Sequence, residues 1–525
     1  MKPADQKRMV VEVVERVLQD KARDPGKIEA LIFDTLYEER RRLETERDRK
    51  KAAAEGKFYR KMQARALRGG PEEQREVLAE IVRHFAEEVL GHFSEPMYRI
   101  ATQIVPVGLN LLLNTLSPLR LISHFPKGLG KVDDQILIEG HTEEFQQLSK
   151  QGTMILVPTH CSNLDSPLIG YVLYRLGLPP FLYGAGLNLF HNKLIGFFMD
   201  HLGAYKVDRR KKAPLYKDVL KVYAGYSMEL GYHNLFFPGG TRSRSGKVES
   251  RLKLGLLGMG LNAYIHNLRH DKPNPDIFVV PCTLNYQLVL EAETLIEDYL
   301  KEEGKARYII EDDEFAQVKR ILEFLQGLFS LESRIHVVFS RPLDVFGNPV
   351  DAEGRSLDHR GREIDRRKYV VQDGEYRFDP QRDQEYTLEL AKSILDSYRR
   401  DTVIGSVQTV AHVVWRWLRE VNPKMDLYRL LRSGGAQDSL TMTEVYRRLQ
   451  GTIRNLRDLQ KRGVLRLDPE LEVSDPAAVF GKALAHLKSY HKHPVLERKG
   501  DRLFHYDRQL LLYYQNRLSF VEPIS

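Results

Sequence analysis

Apolar and polar positions follow two different rhythms along this chain, and the change between them divides it. From residue 1 to about 70, charged side chains dominate, with basic clusters at Arg40–Arg42 and Lys50–Lys51 and acidic side chains interspersed. This texture predicts helix with a solvated, charged face. Gly69-Gly70-Pro71 interrupts it. Over residues 71–92, Val77, Ile81, Phe85 and Val89 recur at four-residue spacing and predict an amphipathic helix. The most apolar run, Ile100 to Leu116, contains Pro106 and several polar side chains. It falls short of a membrane span and reads as a buried or membrane-lying segment.

From about residue 130 the rhythm shortens. β-rich runs at Thr153–Pro158, Ala204–Val207, Leu235–Pro238, Ile277–Pro281 and Ile335–Phe339 alternate with helical patterns such as Lys217–Leu230 and Phe315–Phe329. Alternation of this kind predicts an α/β fold, a mixed, largely parallel sheet flanked by helices. Residues 345–380 are polar and Gly-rich, an excursion or linker. The pattern beyond is mostly helical. The expected organisation is an N-terminal helical region (1–129), an α/β domain (130–344), the excursion (345–380) and a C-terminal helical region (381–525). No internal repeat or low-complexity tract interrupts it.

Composition narrows the function classes. Hydrophobic residues make up 42%, enough for a sizeable core and too many for a disordered chain. The net charge of +8 suits an anionic lipid surface, a phosphorylated substrate or nucleic acid. No recognised nucleic-acid-binding motif accompanies it, so nucleic acid is the weakest of the three. Two cysteines, Cys161 and Cys282, are too few for a disulfide framework or a Cys-rich metal site and fit a reducing compartment. The first twenty residues are charged throughout, unlike a signal peptide.

The sharpest chemistry lies in VPTHCSNLDSP, residues 157–167. An apolar strand ends at Pro158, and Ser166-Pro167 predicts a helix start with Pro at the first helical position. His160 to Asp165 therefore spans a strand's carboxyl end and a helix, where open α/β sheets bind ligands. A neutral imidazole can take a proton from a hydroxyl near pH 7, and a carboxylate on its other nitrogen fixes the tautomer and stabilises the imidazolium. No serine nucleophile is needed, because the substrate's own hydroxyl can attack. The spacing alone is weak: among 17 histidines about one accidental match is expected, and His266 to Asp271 supplies one, read here as chance.

Two further stretches point to an anion. Leu235–Lys247 (LFFPGGTRSRSGK) runs from an apolar strand into Gly239 and Gly240, then Thr241, Arg242, Ser243 and Arg244. Glycines admit a ligand close to the backbone, and arginine forks fit phosphate oxygens. Gly203–Arg210 (GAYKVDRR) is a short strand ending in paired arginines, although Arg209–Lys212 alone reads equally as a solvated charge run.

These stretches, in the order HCSNLD (160–165), GAYKVDRR (203–210), FPGGTRSRSG (237–246) and VVPCTLNY (279–286) with the following VLE, resemble the glycerolipid acyltransferase superfamily, most closely its glycerol-3-phosphate acyltransferase branch. GAGLNLF at 184–190 is similar to the family's Gly–Asn–Leu segment, and QLLLYYQNRL at 509–518 to a stretch near the end of that branch. The resemblance implies an acyltransferase-like fold, with His160 as general base, Asp165 orienting it, and Arg209 and Arg242 binding the acceptor phosphate in a pocket shaped by Gly240, Thr241 and Ser243. It implies acyl-CoA or acyl carrier protein as donor and glycerol 3-phosphate, acylated at its sn-1 hydroxyl, as acceptor. Lysophosphatidate is the alternative acceptor, and a silent lipid-binding scaffold the alternative from another class. No metal or organic cofactor is implied, and the expected location is peripheral, on the cytoplasmic face of a membrane. Two departures stand out: Gly239 where the family's third block usually carries Glu, and Cys161 where some members carry a basic residue.

Overall fold

The structure is a computed structural model that describes residues 2–22, 25–46, 48–91, 135–186, 203–303, 333–489, 491 and 493–521. The apolar run at 100–116, the helical pattern at 315–329 and residues 187–190 of the GAGLNLF stretch lie outside the described residues.

Four helices open the chain: α1 (Pro3–Lys21), α2 (Ile28–Glu44), α3 (Arg49–Arg68) and α4 (Pro71–Val89). The four-residue apolar spacing of α4 is a packing face, since Val77, Ile81, Phe85 and Val89 are all fully buried. They share one apolar cluster with Tyr205, Tyr216 and Tyr223 further along the chain. The charged texture of α2 conceals a buried network. Glu39 is fully buried, and Arg42, also buried, pairs with Glu39 at 2.9 Å and with Glu55. The expectation of a wholly solvated face fails here because a guanidinium surrounded by carboxylates can leave water.

Among the described residues the sheet has seven strands: β1 (Ile136–Gly140), β2 (Thr153–Pro158), β3 (Leu182–Gly186), β4 (Ala204–Val207), β5 (Asn234–Leu235), β6 (Ile277–Tyr286) and β7 (Ile335–Phe339). Their order is β1-β7-β6-β2-β5-β3-β4, and every pairing is parallel except β6 with β7. The sheet is thus mixed and largely parallel, as the alternation predicted. The centre, β2 and β6, is buried at every position, which explains its continuous apolar runs. Alternate residues serve opposite faces: Met154 and Leu156 of β2 join one core, Ile155 and Val157 the other. β6 continues past Pro281 to Tyr286, five residues beyond the expected end.

Helices α5 (Thr142–Leu148), α6 (Asp165–Arg175), α7 (Pro214–Glu229), α8 (Leu254–Arg269) and α9 (Ala292–Glu303) connect the strands. Beyond the sheet come α10 (Pro380–Arg400), α11 (Ser406–Val421), α12 (Met442–Lys461), α13 (Pro476–Ser489) and α14 (Arg508–Gln515). Among them sits a small antiparallel sheet of Ser439–Thr441, Arg502–His505 and Leu496–Lys499. Leu510 to Tyr514 of α14 are buried in the same core as one face of the main sheet. Because β2, β4, β5 and β6 run in one direction, their carboxyl ends lie along one edge.

Candidate active site

That edge gathers the four motifs. β2 ends at Pro158, and the chain turns through His160 into α6, which begins at Asp165, two residues before Pro167, the expected first helical position. Pro167 lies in the first turn, where no intrahelical N–H is lost. His160 Nδ1 lies 2.8 Å from Asp165 Oδ2. The same oxygen accepts the backbone N–H of Cys161 at 2.7 Å and of Ser162 at 2.9 Å, and Oδ1 accepts the Tyr286 hydroxyl at 2.6 Å. Asp165 is fully buried, so these donors replace the water its charge gave up. A carboxylate in this setting accepts Nδ1–H and leaves Nε2 with its lone pair. Among the described residues Nε2 has no hydrogen-bond partner, and the ring stacks on Phe237 with centroids 4.0 Å apart.

Glycines and short bonds fold the Arg-bearing loop against this turn. Gly240 adopts φ +80°, which favours glycine, and a Cβ there would come within 2.5 Å of Lys253 Nζ. Ser243 donates its N–H to the His160 carbonyl at 2.7 Å and its hydroxyl to Lys247 O at 2.7 Å. Thr241 is exposed at the tip of the loop. Arg242 Nη1 stands 3.4 Å from Glu291 Oε1. Glu291, fully buried, also accepts the Ser162 hydroxyl at 2.8 Å and the Asn163 N–H at 3.0 Å. Glu291 therefore ties the third motif to the first.

The second motif divides its charges by role. Asp208 is buried and accepts twice from the Arg210 guanidinium, each bond 3.0 Å. Lys211 is buried between Glu39 at 3.2 Å and Glu88 at 2.6 Å, both from the N-terminal helices. Arg209 is exposed and has no carboxylate partner among the described residues. Partial burial, then the neighbouring Arg242 and Arg244, hold its guanidinium below the usual arginine range. An anion placed beside Arg209, Arg242 and Arg244 would relieve the repulsion that Arg209 feels from the other two. The run Arg209–Lys212 therefore divides: Arg210 and Lys211 are paired with carboxylates, whereas Arg209 and Lys212 are exposed.

The structure thus brings His160, Asp165, Gly240, Thr241, Arg242, Ser243 and Arg209 to one sheet edge, and adds residues that motif spacing did not assign. Tyr286 and Glu291 lie in the fourth motif and its VLE extension, whose letters were visible but whose reach back to Asp165 and Ser162 depends on strand order. The C-terminal stretch closes the far side. Asn516 Nδ2 donates to Ser245 O at 2.8 Å, and buried Arg517 donates to Leu284 O at 3.2 Å and Asn285 Oδ1 at 3.0 Å. A small pocket lined by Cys161, Ser243, Asn285, Tyr286, Tyr513 and Arg517 lies between that stretch and the base turn.

The acyltransferase family profile matches residues 139–285, the segment that carries the first three motifs and all but the last residue of the fourth. Over 203 residues the chain is 34% identical to a glycerol-3-phosphate acyltransferase of Aeromonas hydrophila, covering 38% of this chain and 23% of that protein. It is 30% identical over 213 residues to one of Pseudomonas syringae, covering 38% and 25%, and 32% identical over 206 residues to one of Actinobacillus succinogenes, covering 39% and 23%. The matched stretch spans about a quarter of the length of these relatives. Ordered motifs, sheet topology and matched span agree: residues 139–285 match the acyltransferase domain and are similar to the corresponding stretch of glycerol-3-phosphate acyltransferases.

Proposed function

We propose that this protein transfers a fatty acyl group from an acyl thioester, acyl-CoA or acyl carrier protein, to the sn-1 hydroxyl of glycerol 3-phosphate in phospholipid synthesis. The observation that carries this reading is the juxtaposition of a carboxylate-bound imidazole with a cluster of arginines at one sheet edge. In this reading Nε2 of His160 takes the acceptor's hydroxyl proton as that oxygen attacks the thioester carbonyl. Asp165 stabilises the imidazolium, and the tetrahedral intermediate collapses to the ester. The departing thiolate takes the proton back from Nε2 and leaves as thiol. Arg209 and Arg242 hold the acceptor's phosphate, with Gly240, Thr241 and Ser243 shaping the loop that receives it, so that the hydroxyl is aimed at the base.

Cys161, next to the base, is no relay in this scheme. Burial pushes its thiol up to about 12, and Sγ donates to Leu284 O at 3.7 Å. A thiol so held is a poor nucleophile, which favours direct attack by the acceptor.

The reading also puts the protein peripherally on the cytoplasmic face of a membrane, since an acylated glycerol phosphate partitions into lipid and the chain carries a net +8. No helix among the described residues is long and apolar enough to cross a membrane. Anionic vesicles should bind the protein and high salt should release part of it. Retention that only detergent reverses would count against surface attachment.

The deciding assay incubates purified protein with a labelled acyl donor and each acceptor separately, then identifies the lipid product. Formation of 1-acylglycerol 3-phosphate supports the proposal. Acylation of lysophosphatidate alone would assign the alternative acceptor, and binding of lipid without transfer would mark a silent scaffold.

A further inference from the structure

The loop from Pro238 to Lys253 closes on itself, with Lys253 N–H donating to Pro238 O at 2.8 Å. Inside this ring both backbone polar groups of His160 find their partners. Ser243 N–H donates to the His160 carbonyl, and the His160 N–H donates to Glu249 Oε1 at 2.9 Å. Glu249 Oε2 is sealed from solvent and has no hydrogen-bond partner among the described residues. Burial raises this carboxyl's pKa, and the His160 N–H and Arg517 oppose the rise. Leaving one oxygen of a sealed carboxyl unpaired is costly, so the group is held there by what the other oxygen does.

The position opposite explains the space it fills. A Cβ built on Gly239 would lie 3.3 Å from Glu249 Cγ and 3.8 Å from Glu249 Oε1. Gly239 is not in the left-handed region, so its backbone suits any residue and the constraint is room alone. The Glu249 side chain thus enters, from the far end of the loop, the space that a side chain at 239 would occupy.

We propose that Glu249 is a positioning residue for His160 and forms a matched pair with Gly239, supplying from position 249 the carboxyl that a glutamate at 239 would otherwise bring to the base turn. This rests on the reading of His160 as general base. Clamping His160 at both N–H and carbonyl fixes the direction of its ring, and a displacement of about 1 Å at such a site costs on the order of a hundredfold in rate. Arg242 lies in the same ring beside Ser243, so the clamp also sets the spacing between anion arm and base.

The test compares Glu249→Gln, Glu249→Ala, Gly239→Glu and the double variant Gly239→Glu/Glu249→Ala in the full chain, with acceptor and donor varied separately. Glu249→Ala should lower kcat about tenfold or more while donor KM stays within about threefold, and Glu249→Gln, which keeps an acceptor oxygen, should retain most activity. Gly239→Glu alone should also lose activity, because two side chains then contend for one space. The double variant should recover to within about threefold of the parent, a rescue that a merely structural role does not give. A second readout needs no turnover: the ring-nitrogen NMR signals of His160, assigned by their loss in His160→Ala, should shift in Glu249→Ala and return in the double variant. If the parent transfers no acyl group to any acceptor, the acyltransferase reading fails and these signals alone decide the pairing. Unchanged kcat and unchanged ring signals in Glu249→Ala would overturn the proposal, as would a double variant no better than Glu249→Ala. Should Glu249→Ala fail to fold, a folded and active double variant supports the pairing and an unfolded or inactive one overturns it.

Discussion

His160–Asp165 and His266–Asp271 have the same spacing and opposite fates. In the first, the five-residue interval crosses from a strand end into a helix start, and the side chains meet at 2.8 Å. In the second, it runs off the end of α8. His266 turns to Glu229, 3.1 Å away, and stacks on His270, while Asp271 adopts φ 47° in the turn that follows. Burial, then Arg16 and His270, push the His266 imidazole down to about 3, so the ring beside Glu229 is neutral. Spacing gives two residues the reach to meet, and the element they straddle decides whether they do.

The largest effect should fall on the first pair. His160→Ala should lower kcat by about 10²–10⁴, and Asp165→Asn should come close to it with the fold intact, measured by steady-state turnover and circular dichroism. Near-normal turnover in His160→Ala would erase the distinction between the two stretches.

His336 sharpens the contrast, because carboxylates take both of its nitrogens: Glu139 at 2.9 Å on Nδ1 and Asp468 at 3.1 Å on Nε2. Burial works to lower its pKa, but the two carboxylates overcome that and the net shift is upward. A raised folded-state pKa contributes stability that is fully present below the unfolded value of about 6.5 and is lost as pH rises through the folded value. Chemical denaturation should therefore show the parent losing stability over that window. His336→Leu should flatten this dependence and cost about 3 kcal/mol by stranding buried Asp468, with turnover of the folded fraction unchanged.

Arg242→Ala should raise the acceptor KM about tenfold and leave the donor KM nearly alone, with only partial rescue by Lys, which lacks the planar fork. A shift confined to the donor would move the third motif to the thioester side. His266→Ala should be the mildest change, about 1 kcal/mol or less in stability and turnover within about twofold, since Glu229 keeps Arg16 at 2.6 Å. A large loss there would mean that the second stretch had been misread.

Much of the sheet could be read in advance because β2, β4 and β7 are short β-rich runs whose ends coincide with the predicted ones. β3 (LYGAG) carries two glycines and too few branched residues to announce a strand, and β5 is only two residues long. Within the site, His160, Asp165, Arg209 and the Arg242 loop were legible because each follows a strand in sequence. Tyr286, Glu291 and Glu249 were not, because they reach the base turn from 121, 129 and 89 positions away, through pairings that sequence order does not reveal. Two buried charges were misjudged for a related reason: Arg42 and Lys211 read as solvent-facing until their partners Glu55 of α3 and Glu88 of α4 are known.

The same separation has a consequence for how the site comes into being on the ribosome. His160 and Asp165 find each other across five positions and can pair as soon as β2 and α6 have emerged, whereas Arg517 reaches the Cys161 thiol at 3.9 Å across 356. A chain made from its N-terminus therefore holds its base pair long before the far wall of the pocket arrives. Contacts of such long range form late and slowly. During that interval Leu284 and Val289, which line the pocket together with Tyr513 and Tyr514 of α14, lack those neighbours. A half-made chain is then exposed to the aggregation that accompanies incompletely covered cores, and the final stretch acts as a folding seal as much as a wall of the site.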